Sequence, residues 1–257
     1  MDYDPNFWER LFWLIKYPDS ISLANILHEI IVFILTVLVL YHSYKKYGLL
    51  KSILFFSGGF LFSGVEENEM IITGYKLKGQ IILGTEVPMT YHFNYHAYIL
   101  WFLAVPIIVC CAWYIITYTS VQITLYVTKG HIKSSLLGAY IGVSIDFMID
   151  PIMIRRMNWI WLAEKYQAFW FLQVPVSNYI GWFVLIFGFN WIFYWYHDTF
   201  LKRKNRENWA TWKKVLLFYG FMYATLILTE IITVGLTILL TPFNGIDISW
   251  WYWPTTS

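Results

Sequence analysis

AYILWFLAVPIIVCCAWYIITY, residues 97–118, runs 22 positions without a charged side chain. A bilayer core about 30 Å thick takes about 20 apolar residues of α-helix, so this stretch is long enough to cross one. Five further stretches meet the same standard, at 26–44, 52–72, 134–150, 175–197 and 214–241. The second is interrupted near its end by Glu66, Glu67 and Glu69, the fourth holds Asp146 and Asp150 in its last turns, and the long sixth carries Glu230. Residues 152–174 set Trp159, Trp161, Trp170 and Phe171 among Arg and Lys, a pattern that reads as an interfacial helix. A seventh span there is the alternative. The predicted fold is an all-α, polytopic transmembrane helix bundle of about six spans plus that interfacial helix. It forms a single integral-membrane domain over 1–257, with no internal repeat standing out.

Composition supports this assignment. The chain is 58% hydrophobic with 13% charged residues, about half the roughly 25% of soluble domains, and its mean hydropathy is +0.52. These values exclude a disordered chain, a collagen-like repeat and a typical soluble enzyme. Fifteen Trp, 20 Tyr and 20 Phe make up 21% of the residues. Interfacial belts use Trp and Tyr, but so many aromatics should also line an interior. A net charge of +2 is too balanced to suggest a nucleic-acid partner. Cys110 and Cys111 are neighbours in an apolar run, where neither a disulfide framework nor a zinc site is expected. The N-terminal segment is acidic and aromatic, unlike a cleavable signal peptide.

Alternate loops differ in basic residues. Those at 45–51, 119–133 and 198–214 hold 11 Lys and Arg, against 7 in the remaining tails and loops. The positive-inside rule therefore predicts a multi-pass protein of the cell membrane with both termini outside. Six spans also bring the embedded acids to one leaflet. Glu29 begins span one where Glu66 and Glu67 end span two, and Asp146 and Asp150 end span four on that side. Asn178 opens span five there, and Glu230 lies roughly 24 Å from the inner end of span six. Ionisable groups in a span cost a few kcal/mol or more unless paired or functional. Their convergence predicts one polar site under an aromatic cavity.

The segment SIDFMIDPIMIRRMNWIW, residues 144–161, carries the strongest candidates. Asp146 and Asp150 share a helical face about 6 Å apart along the axis. Two carboxyls so placed in low dielectric cannot both ionise cheaply, and a shared proton is expected. A protonated carboxyl beside apolar surface is what a general acid acting on a hydrocarbon needs. The plain structural readings are that Asp150 caps a helix before Pro151, or that it pairs with Arg155 or Arg156.

Glu66 and Glu67 diverge by about 100° on a helix, so one of them faces the cavity, and the sequence does not choose between them. Both, with Glu69, could instead simply mark the exit to water. His92 and His96 are spaced as metal ligands on a helix, but six scattered histidines are too few for a di-iron membrane oxygenase. His28-Glu29 is followed by Ile-Ile-Val and makes no zinc-protease motif. No metal or cofactor is expected. His197 and Asp198 fall at the opposite interface. Asn178 and Trp182 share a helical face, where Asn178 either orients a water, braces a carboxyl or joins two helices. Glu230, among Leu and Ile, is a functional candidate by default.

Asp146-x-x-x-Asp150-Pro151, Arg155, Trp159-x-Trp161 and Pro175-x-x-Asn178-x-x-Gly181-Trp182 together resemble the integral-membrane carotenoid biosynthesis family, which includes carotenoid hydratases. Tyr95, Pro106 and Trp113 are similar to its upstream run. The resemblance implies addition of water across a terminal double bond of a long isoprenoid polyene. On that reading Asp146 or Glu66 donates the proton, and Asp150 with Asn178 orients the water. Trp159, Trp161, Trp182, Tyr95, Trp113, Glu67, Glu230 and Arg155 surround the substrate. The partners are then an isoprenoid or carotenoid, water and membrane lipids. Acids and aromatics would serve a membrane terpene cyclase equally. A non-catalytic isoprenoid-binding protein is the third reading.

Overall fold

The computed structural model describes residues 22–77, 81–82, 85–86, 91–161, 169–246 and 248. Helix α1 spans Leu23–Tyr47, α2 Leu49–Leu77, α3 Ile107–Val127, α4 His131–Arg155, α5 Val176–Tyr194 and α6 Thr211–Leu240. All six are long and apolar enough to cross a membrane among the described residues. Short strands fill the connections: β1 Ile81–Ile82, β2 Thr85–Glu86, β3 Tyr91–Phe93, β4 Trp101–Phe102, β5 Val105–Pro106, β6 Trp159–Trp161, β7 Trp170–Phe171 and β8 Val174–Pro175.

Local chemistry sets the helix ends. The Ser22 hydroxyl accepts the Asn25 N–H at 3.2 Å and caps α1. Gly48, at φ 80°, closes that helix, a conformation glycine adopts without steric cost, so α2 begins one residue later. Between spans the helices pack closely. A Cβ on Gly142 in α4 would stand 2.5 Å from Ile186 Cδ1 of α5, and one on Gly188 in α5 would stand 2.6 Å from Thr229 Cγ2 of α6. Small residues at such crossings let membrane helices approach. The central helix is α3, which is mostly buried, whereas α6 is mostly exposed. Leu23, Ile31, Val37, Ile231 and Ile238 instead point outward on α1 and α6. Lipid can cover such surface, and water would not.

Among the described residues most aromatic rings lie inside the bundle. Phe55 meets Phe193 at 4.6 Å, Phe189 at 5.2 Å and Tyr118 at 5.3 Å, each edge to face. Edge-to-face pairs of this kind contribute about 0.5–1.5 kcal/mol each beyond the area they bury.

Three expectations change. The third span begins at Ile107 rather than 97, because Trp101-Phe102 folds back on Val105-Pro106 as a two-residue hairpin. Within 152–174 the described residues finish α4 at Arg155 and then form short strands rather than an interfacial helix. Met157 at φ 56° ends α4, and Trp159–Trp161 then pairs antiparallel with Tyr91–Phe93. Of that stretch, 162–168 lie outside the described residues. The chain also does repeat itself. Trp-Phe-Leu-Ala-Val-Pro (101–106) and Trp-Phe-Leu-Gln-Val-Pro (170–175) form equivalent hairpins. Leu103, Leu172 and Gln173 take positive φ in their turns, and each hairpin leads through its proline into α3 or α5. Trp113 and Trp182 follow at the same offset. The pairing of β3 with β6 centres on His92 opposite Ile160, a local two-fold between the two halves.

Candidate functional site

Both hairpins and the β3–β6 pair occupy the end of the bundle to which the sequence assigns the acids. Asn68 of α2 holds the first hairpin there. Its Nδ2 donates to the Phe102 carbonyl at 3.0 Å, and its Oδ1 accepts the Ala104 N–H at 2.7 Å. Glu29 accepts the Ile99 N–H at 2.5 Å, so this buried carboxylate fixes loop backbone. The Tyr179 hydroxyl reaches the Phe171 carbonyl of the second hairpin at 3.4 Å.

Asp146 and Asp150 face inward from the last turns of α4, with 1% and 3% of their surface exposed. The helix does not stop at Asp150. It runs through Pro151 to Arg155, which rules out the capping reading. Pro151 has no N–H to give the Phe147 carbonyl, a loss that buried membrane helices tolerate. Arg156 turns away from the pair and donates to Asn25 Oδ1 at 3.0 Å. The two carboxyls lie one helical turn apart on the same inward face of α4.

Asn178 reaches the pair from the first turn of α5, where the hairpin and Pro175 set its position. Its Nδ2 donates to Asp150 Oδ2 at 2.7 Å and stands 3.5 Å from Asp146 Oδ2. From α2, Glu67 faces the same space, 8% exposed, and accepts a hydrogen bond from the Tyr91 hydroxyl. Tyr91 packs on Trp161 at 4.7 Å. Glu67, Asp150 and Asn178 share one cleft with the rings of Tyr91, Phe93, Trp159, Trp161 and Trp182, and with Val109. Its free volume is about 20 Å³, room for roughly one water molecule. The indole N–H groups of Trp159 and Trp161 are buried with no acceptor among the described residues.

The remaining candidates are placed elsewhere. Glu66 points toward Glu69 and Glu230, so α2 divides its acids between two environments. Trp113 is core, stacked on Phe62 at 5.9 Å and edge-on to Phe189 at 5.6 Å. Tyr95 is half-buried and packs on Trp101 at 5.2 Å. Arg155 is exposed in the last turn of α4. His92 lies on β3 rather than on a helix, and burial pushes its imidazole below the ordinary value of 6.5. Among the described residues no group of three or more His, Cys, Asp or Glu is arranged to hold a metal ion.

Tyr91, Phe93 and Val109 had no place in the sequence reading. Tyr91-x-Phe93 matches Trp159-x-Trp161 as an alternating aromatic pair, the signal that could have found two of them. Val109 occupies, three residues after Pro106, the repeat position that Asn178 holds after Pro175.

The carotenoid biosynthesis protein family matches this chain over residues 28–243. No curated protein and no solved structure matches it.

Proposed function

The chain belongs to the carotenoid biosynthesis protein family, and from that premise we propose that it is a hydratase adding water across a terminal double bond of a long isoprenoid polyene. The observation that carries the reading is the Asn178 amide donating to Asp150 in an aromatic-lined cleft with room for one water, while Asp146 stands 3.5 Å behind the same amide.

The chemistry balances with these groups alone. Asp146 gives its proton to the less substituted alkene carbon, and the π pair forms the new C–H bond. The positive charge falls on the tertiary carbon. Trp159, Trp161, Trp182 and Tyr91 present ring faces or edges around that space, and each face over a cation is worth about 0.5–2 kcal/mol. Water held by Asp150 and Asn178 attacks the cation through oxygen, forming the C–O bond. Its excess proton passes to the carboxyl pair, which restores the acid. Glu67, oriented by Tyr91, is the α2 acid at this cleft, and Glu66, the alternative proton donor, is not among its lining residues. The substrate reaches this cleft from the lipid phase, with both termini and the acid-bearing end on the outer side of the cell membrane.

Expression in a lycopene-producing host, with mass analysis of extracted pigments, tests the reading. A product heavier by one water supports it. An isomer of the substrate assigns a cyclase instead, and unchanged pigment retained on the purified protein assigns a binding role.

A further inference from the structure

The opposite end of the bundle holds a cavity that the carboxyl chemistry does not use. Beyond Tyr194, α5 continues as a π-helix over Trp195–Phe200, a distortion that recurs at functional sites. Trp195, Thr199 and Phe200 of this turn, with Arg203 and Arg206 just after it, line a cavity of about 470 Å³. That lies within the 300–1,000 Å³ or so of small-molecule sites.

Its two arginines bring positive charge to the cavity wall. Among the described residues no carboxylate pairs with Arg203 or Arg206. The adjacent Asp198 is engaged by Lys51 at 3.8 Å, His131 at 3.7 Å and Lys202 at 3.6 Å. Arg206 is also held in place. Its guanidinium lies 4.1 Å over the Phe200 ring and 5.5 Å from that of Trp209, and Nη1 donates to the Phe200 carbonyl at 3.5 Å. A fixed guanidinium fork fits phosphate oxygens in pairs. The cavity sits where span five leaves the membrane, and Trp195 and Phe200 give it an apolar wall.

We propose that this cavity binds the phosphate of an anionic amphiphile, with the two guanidinium groups on the phosphate and the hydrocarbon tail along Trp195 and Phe200. Basic pockets at membrane borders recognise anionic headgroups in this way. The site is independent of the hydratase reading and stands or falls separately.

Native mass spectrometry of the full-length protein in detergent provides the test, with dioleoylphosphatidylglycerol, dioleoylphosphatidylcholine or inorganic phosphate as probe. The expected result is one retained phosphatidylglycerol per chain, little phosphatidylcholine, and no displacement by millimolar inorganic phosphate. R203Q/R206Q should weaken retention by about tenfold or more, and R203K/R206K, which keeps the charge but loses the paired fork and the ring contact, should fall between that variant and the wild type. The single variants R203Q and R206Q carry the comparison should the double variant aggregate. Equal retention of the two lipids, or retention unchanged by the glutamine substitutions, would overturn the proposal. Displacement by inorganic phosphate would overturn its lipid part and assign the site to free phosphate.

Discussion

The side-chain amide of Asn178, on α5, stands 2.7 Å from Asp150 Oδ2 and 3.5 Å from Asp146 Oδ2, on α4. One neutral donor thus braces two buried carboxyls that come from a neighbouring span. Removing it leaves the pair without its shared donor and mispositioned. A hydrogen bond to a charged group contributes about 1.5–3 kcal/mol, so N178L should lower turnover by about 10- to 100-fold in protein that still folds. Product formed per amount of purified protein checks this. Undiminished turnover would show that the brace has no role.

The division of acids on α2 gives a second expectation. Glu67 lines the cleft and is bonded by Tyr91, whereas Glu66 faces Glu230. E67Q should abolish most activity, and E66Q should leave most of it. Y91F keeps the ring on Trp161 but leaves Glu67 without its donor, at a cost of about 1–3 kcal/mol in stability or activity. The opposite ranking of E66Q and E67Q would return the role to Glu66.

A third expectation concerns pH. Burial lowers the folded-state affinity of His92 for its proton relative to the ordinary value of 6.5. The unfolded chain therefore binds more protons below about pH 6.5, and stability from this site is present above that pH and lost as pH falls. Thermal unfolding in detergent should show a steeper acid-side loss for the wild type than for H92Q. Identical slopes in the two proteins would exclude a contribution from His92.

Much of the fold was legible because a membrane span demands a long apolar helix. The stretches around 26–44, 52–72, 134–150, 175–197 and 214–241 all fall within, or nearly coincide with, α1, α2, α4, α5 and their π-helical or 3-10 extensions, and α6. Hydropathy could not see the start of α3, since Trp101-Phe102 and Val105-Pro106 are as apolar in a hairpin as in a span. The second copy of that motif at 170–175 was the available signal. The same blindness turned Trp159-Ile-Trp161 into part of a helix, although its alternation fits the strand that pairs with Tyr91–Phe93.

The candidate site was legible where spacing fixes geometry. Asp146 and Asp150 share a face because they lie four apart, and Asn178 with Trp182 does so for the same reason. What spacing could not fix was rotation and partnership across the bundle. Glu66 and Glu67 are adjacent, and only the position of Tyr91 on β3 distinguishes them. Trp113 was expected beside the substrate with Trp182, yet packing puts it in the core against Phe62.

The most direct test of the central claim supplies oxygen-labelled water to membranes containing the protein and its polyene, then reads label in the product by mass spectrometry. The account predicts a labelled tertiary alcohol with the wild type, and a rate about 10²- to 10⁴-fold lower with D146N, the span of general acid catalysis. An unlabelled product isomeric with the substrate, or full turnover by folded D146N, would contradict it.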